Sequence, residues 1–376
     1  MEGCNVSLLD HFDALDDPRL DRTKKHHLSD ILVIALCATL AGAESFADIA
    51  LFGRSKLTWF KRFLALPNGI PSHDTFGRVL SLLSPAQFQR CFVSWMNAVC
   101  ARCNLKHVQI DGKALRGSRS GGHQGLHLVS VWAQENGLTL GQQEVDEKSN
   151  EITAIPELLR TLELQGCLVS IDAIGCQKAV AAQIHEAGAD YVLALKANQG
   201  RLFEDVEGSF IWSDLHGLKS LRHDSYRSEE VGHGRHEVRD YRVIYDPDSL
   251  RTRDDWPGLH SIIRVVRRRR VGDKESDEVV YYISSSARPA AQLAAAIRGH
   301  WGIENGLHWV LDVVFGEDGS RIRDRTCAEN MGWLRRVAVT LLRQDTSKGS
   351  LKGKSKRAGW DDEFLGHLLS LLHDED

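Results

Sequence analysis

The chain has 376 residues, 42% hydrophobic and 26% charged, which is enough for two or three domains with a substantial core and too apolar for disorder. A formal net charge of −4 and a pI near 6.5 exclude nucleic-acid binding through overall charge, so any DNA contact must come from local patches. Eight scattered cysteines with a single C-x-x-C, Cys100 and Cys103, argue for free thiols in a reducing, cytoplasmic setting and against a zinc knuckle. The acidic start "MEGCNVSLLDHFDALDDPRL" lacks a signal-peptide core, and "ILVIALCATLAGA" (31–43) falls short of the roughly 20 residues needed to span a bilayer. It reads as a buried helix.

Residues 1–105 show helical periodicity broken by turns. Ser29 and Ser72 are expected N-caps, and Pro67, Pro71 and Pro85 punctuate. Arg54, Lys56, Lys61 and Arg62 surround Trp59 and Phe60, which fits either a solvated face over an aromatic pair or a phosphate-contacting helix. "SHDTFGRVL" (72–80) could open a recognition helix.

From 106 to 216 the texture becomes α/β. "HVQIDGKAL", "LHLVSVWAQ" (126–134) and "LTLGQQEVD" (138–146) are expected as an antiparallel meander. "EITAIPELLRTLEL" follows as a helix, "CLVSIDAIG" (167–175) as a strand, "QKAVAAQIHEAGA" as a helix and "DYVLALK" (190–196) as a strand. Three antiparallel strands followed by β-α-β crossovers make a mixed α/β sheet. Residues 217–287 read as an all-β, Arg-rich insertion, with Arg267 to Arg270 on a solvated strand edge or against DNA. Helices return over 288–345, and 346–376 is expected as a basic linker and short final helix. Within "RQDTSKGSLKGKSKR" (343–357), six Lys or Arg stand against one Asp.

Asp111 and Asp172 each end an apolar strand, where α/β sheets place ligands. Glu304, in "RGHWGIENGLHW", falls by helical count among Trp301, Ile303, Leu307 and Leu311, a face where an unpaired buried carboxylate would cost several kcal/mol. Three carboxylates in one cleft repel by a few kcal/mol per pair at about 4 Å. Hard oxygen donors without thiolates favour Mg²⁺ or Mn²⁺ as the neutralising cation. Two such ions roughly 3.5–4 Å apart are the usual clamp for in-line displacement at phosphorus. A zinc site using His300 and His308 is the competing reading of the same helix, and Trp301 and Trp309 are expected in the core. Lys113, Arg116, Lys196, Asn198 and Gln199, following the strands, are candidate contacts to DNA phosphates.

The blocks "LDDPRLDRTKKHHLSDIL", "IPSHDTFGRV", "VQIDGKALRGS", "SIDAIGCQ", "LALKANQG" and "IRGHWGIENGLHWVLDVVFGED" resemble the H-repeat-associated group of DDE-type insertion-sequence transposases, over residues 8 to 345. The resemblance implies a ribonuclease H-like catalytic domain behind a helical DNA-binding region, interrupted by a β-rich insertion between the second Asp and the Glu. It implies Asp111, Asp172 and Glu304 as the catalytic and metal-holding triad, with Mg²⁺ or Mn²⁺ as cofactor. Double-stranded DNA, at element ends and target, would be the substrate, handled by a homodimer at the nucleoid. Related elements place Tyr, Arg and Lys around the Glu, where this chain has Ile297, His300 and Leu311. His300 is the expected stand-in for the arginine, with Arg298 beside it. A DNA nuclease without strand transfer, or an inactive DNA-binding remnant of a mobile element, are the alternatives.

Overall fold

The computed structural model describes residues 12, 14–100, 105–115, 126–145, 151–232 and 234–371. The chain folds into two compact units, one comprising residues 1–104, 112–148 and 304–376 and the other 105–111 and 149–303.

In the first unit the helix Leu28–Leu40 is buried from Asp30 to Leu40, as its unbroken apolar run requires. It starts one residue before the expected cap: His27 precedes it without a side-chain bond, and Ser29 lies inside. Asp30 still serves, accepting the Leu66 N–H at 3.0 Å. Ser45 and Asp48 close a capping box on Phe46–Ser55, and Ser72 caps His73–Leu82 as expected. Pro85 opens Pro85–Cys100, where its missing N–H costs nothing. These helices pack around Arg325–Gln344, which is capped by Asp324. Its buried Asn330 donates to the carbonyls of Leu80 and Leu83, satisfying the end of another helix. The hairpin of β2 (His127–Ala133) and β3 (Leu138–Val145) completes the unit.

The segment expected as a flexible basic linker is ordered instead. Ser350 caps the helix Leu351–Trp360, and buried Lys354 reaches the Leu342 and Asp345 carbonyls and the Asp345 carboxylate. Asp362–Ser370 follows as the last helix. Of the basic residues near 54–62, Lys56 is paired with Asp362, while Trp59 and Phe60 are buried in edge contact. Cys37, Cys91, Cys167, Cys176 and Cys327 are free and buried. The Cys103 half of the C-x-x-C and the Cys100 side chain lie outside the described residues.

The second unit is built on parallel strands. β1 (His107–Ala114) pairs with β4 (Leu168–Ile171), and β4 with β5 (Asp190–Leu195). The helices Glu151–Leu159 and Lys178–Glu186 provide the crossovers. The 217–287 region gives four antiparallel strands: β6 (His223–Gly232), β7 (Arg235–Tyr245), β8 (Ser261–Val271) and β9 (Lys274–Ser284). They do not form a sheet of their own. β9 pairs with β5, so the strand order is β3-β2-β1-β4-β5-β9-β8-β7-β6. The first five make a mixed sheet, parallel at β1, β4 and β5 and antiparallel at β2 and β3, and the last four extend it. β8 is therefore interior, not an edge; two of its arginines are paired across strands, Arg267 with Glu278 and Arg268 with Asp240, while Arg269 and Arg270 are exposed. The helix Ala290–His300 covers one face of this sheet through Leu293, Ala294 and Ile297, against Leu168, Val192, Tyr241 and Ile263. Among the described residues no helix is long and apolar enough to cross a membrane.

Candidate catalytic carboxylates

β1 and β4 run in parallel with Ile110 opposite Ile171, and the next residue on each is an aspartate. Neighbouring strands lie about 4.8 Å apart, so Asp111 and Asp172 stand side by side, both half-buried. The chain turns sharply after Asp172, whose Oδ1 accepts the N–H groups of Ile174 (3.0 Å) and Gly175 (3.3 Å). Gly175 is required there, because a Cβ would stand 2.3 Å from Ile171 Cγ2. Burial pushes the Asp172 carboxyl above its ordinary range and the Glu151 charge adds to this, while the two N–H groups and Lys196 pull the other way. Glu151, only 8% exposed at the start of its helix, was not singled out from the sequence. An acid in a first helical turn is ordinary there, so nothing local marks it.

Glu304 is exposed rather than buried, which removes the argument from a costly buried charge. It opens a π-helical turn, Glu304–His308, between Ala290–His300 and Trp309–Val313. Such turns recur at functional sites. Trp301 and Trp309, expected in the core, are 46% and 56% exposed. Among the described residues no three His, Cys, Asp or Glu side chains are clustered so as to hold a metal ion, which applies to His300 with His308 and to the trio Asp111, Asp172 and Glu304 alike; only the two aspartates stand side by side.

Most of the expected phosphate contacts are engaged in the protein itself. Lys113 is buried and ion-paired to Asp312 and Glu317, with Asp318 at 4.0 Å. Arg298 forms a two-pronged pair with Glu230 (3.0 and 3.1 Å), whose carboxyl is held at about 2 chiefly by that bond. His300 bonds Ser170 through Nδ1 (3.1 Å), and burial pushes its ring down to about 4, so it is neutral at pH 7 and cannot replace an arginine. Asn198 and Gln199 donate to the carbonyls of Ala173 (2.8 Å) and Cys176 (2.9 Å), pinning the turn after β5 to the turn after Asp172. Lys196 is exposed at the end of β5, close enough for its charge to act on Asp172. Arg116 lies outside the described residues.

Residues 104–341 match the family described as Transposase DDE domain, and residues 9–96 match its DDE_Tnp_1-associated family. An "H repeat-associated putative transposase" of Escherichia coli strain K12 is 40% identical over 371 residues, 96% of this chain and 97% of that protein. A second relative, from Escherichia coli O157:H7, is 39% identical over 97% of this chain and 94% of its own. An "uncharacterized protein" of Xanthobacter autotrophicus is 46% identical over 281 residues, 73% of this chain and 92% of its own. The solved piggyBac transposase synaptic complex with hairpin DNA aligns with a TM-score of 0.40 and 11% identity over 91% of this chain and 73% of its own. With both family matches and full-length relatives in hand, the chain belongs to the DDE-domain transposases, in their H repeat-associated group.

Proposed function

We propose that this chain is the transposase of an insertion sequence, cleaving double-stranded DNA at the element's ends and joining the freed 3'-hydroxyls to target DNA. It would act as a homodimer bridging two ends, at the nucleoid. The observation that carries this reading is the pair Asp111 and Asp172, next in register on adjacent parallel strands, in a chain of the DDE family.

The donor set suits Mg²⁺ or Mn²⁺. Two adjacent carboxylates, one pushed up by burial and by the Glu151 charge, offer hard oxygen donors of the kind a divalent cation takes. Asp111, Asp172 and Glu304 would hold it. When bound, the metal would supply Lewis-acid stabilisation of the scissile phosphate and acidify the attacking water or hydroxyl. The chain's own part is orientation. The two N–H bonds to Asp172 Oδ1 fix its carboxylate, and Lys196 offers a positive charge to a DNA phosphate beside it.

The test uses purified protein and a plasmid carrying the two DNA segments that flank the coding sequence. Asp111→Asn, Asp172→Asn and Glu304→Gln should each abolish Mg²⁺-dependent cleavage and joining while retaining the gel shift. Full activity in any one removes that residue from the mechanism. Nicking without joined products identifies a nuclease, and DNA binding with neither identifies an inactive remnant.

A further inference from the structure

Gln109, His107, Ser170 and His300 form one chain of hydrogen bonds within the second unit. Gln109 Nε2 lies 3.0 Å from His107 Nδ1, His107 Nε2 lies 2.8 Å from Ser170 Oγ, and Ser170 Oγ lies 3.1 Å from His300 Nδ1. The donors can be assigned by elimination. An amide N–H₂ only donates, so His107 Nδ1 accepts and its proton sits on Nε2. That N–H donates to Ser170, which leaves the hydroxyl proton for His300 Nδ1. The chain therefore runs in one direction and requires both imidazoles neutral. Burial provides this, holding each ring down to about 4.

Two members precede a proposed metal ligand: Gln109 stands two residues before Asp111 on β1, and Ser170 two before Asp172, the residue that follows β4. His300 is the last residue of the Ala290–His300 helix. Residues two apart on a strand share a face, so the bonded row lies on the face that carries the two aspartates. The helix is admitted by Gly299, where a Cβ would stand 3.2 Å from the His107 ring.

We infer that the Gln109–His107–Ser170–His300 chain is a positioning device that sets the register of the two strands leading to Asp111 and Asp172, and through it divalent-metal affinity. This rests on the reading of Asp111 and Asp172 as metal ligands. Ser170 is a positioning residue, since it touches none of the reacting groups.

The experiment is Mn²⁺ titration of the full chain without DNA, alongside plasmid cleavage and metal-free thermal unfolding. Ser170→Ala should weaken Mn²⁺ binding about 10-fold or more, the range seen when groups that orient metal ligands are removed. Ser170→Thr, which keeps the hydroxyl, should restore binding to near the wild-type value. Asp172→Asn should lose Mn²⁺ binding altogether. Ser170→Ala with wild-type Mn²⁺ affinity, or with weakened affinity that Ser170→Thr fails to restore, overturns the positioning role alone. A wild-type protein that binds no Mn²⁺ overturns the metal site itself, and this role with it.

Discussion

Lys113 offers a perturbation whose size can be worked out from the surrounding charges. Glu317 is 0% exposed and is held by Arg336, also 0% exposed, at 3.1 Å and by Lys113 at 3.1 Å. Burial alone would push this carboxyl up, yet Arg336 and then Lys113 hold it at about 2, against an ordinary 4.5. At 1.36 kcal/mol per unit, that depression corresponds to about 3 kcal/mol of stability shared by the two cations. Lys113→Met removes the smaller share and also strips Asp312 of its partner, so the loss should be about 2–4 kcal/mol, near the range for breaking a buried pair. The pH sign follows from the direction. A depressed carboxyl stabilises the fold above pH 4.5, and that stability is lost as pH falls toward 2. In Lys113→Met the carboxyl moves back toward 4.5 and this acid-dependent part shrinks. Urea unfolding followed by tryptophan fluorescence reports on the unit directly, because Trp132 and Trp333 are buried in it. The double variant Lys113→Met/Glu317→Gln should be less destabilised than the sum of the singles, since a neutral amide needs no cation. A single variant within about 0.5 kcal/mol of wild type at pH 7, or a strictly additive pair, would refute the reasoning.

Glu329 is pushed up to about 8 by burial and then by its neighbour Glu144. A raised carboxyl favours the fold at low pH and loses that contribution as pH rises from about 4.5 through 8, so Glu329→Gln should flatten the thermal-stability profile across that window. An unchanged slope counts against it. Gly175→Ala forces a Cβ to within 2.3 Å of Ile171 and 2.9 Å of Ile155, which should cost about 1–3 kcal/mol in denaturant unfolding; wild-type stability would show that the turn relaxes freely. Ser350→Ala removes the bond to the Gly353 N–H and should lower stability by about 1 kcal/mol, measured as a shift in the unfolding midpoint.

What could be read ahead of the structure was what local pattern encodes. Asp172 follows the apolar strand β4 as expected, whereas Asp111 was expected at a strand end and lies within β1, which continues to Ala114; their neighbouring places in register with Ile110 and Ile171 follow from the apolar runs before them. Lys113 was misread as a DNA contact because its partners lie 199 and 204 residues away, and no spacing reveals such a pairing. Asn198 and Gln199 fail for the same reason over a shorter span, their amides spent on carbonyls at 173 and 176. Three of the four strands after residue 217 were legible through their alternation, β6 (His223–Gly232) was not, and their joining to β5 through β9 is a tertiary choice.

Glu304 shows a different limit. Counting at 3.6 residues per turn sets it in line with Leu307 and Leu311, both buried. The helix winds as a π turn from Glu304 to His308, so the 3.6 count does not carry across it. Leu307, His308, Val310 and Leu311 stay inside while Glu304, Trp301 and Trp309 face outward. The role proposed for Glu304 suits that outward setting, since a carboxylate sealed in the core would be driven to protonate and lose the charge that metal binding requires. The irregular turn that defeats the periodicity argument thereby leaves this acid at the surface.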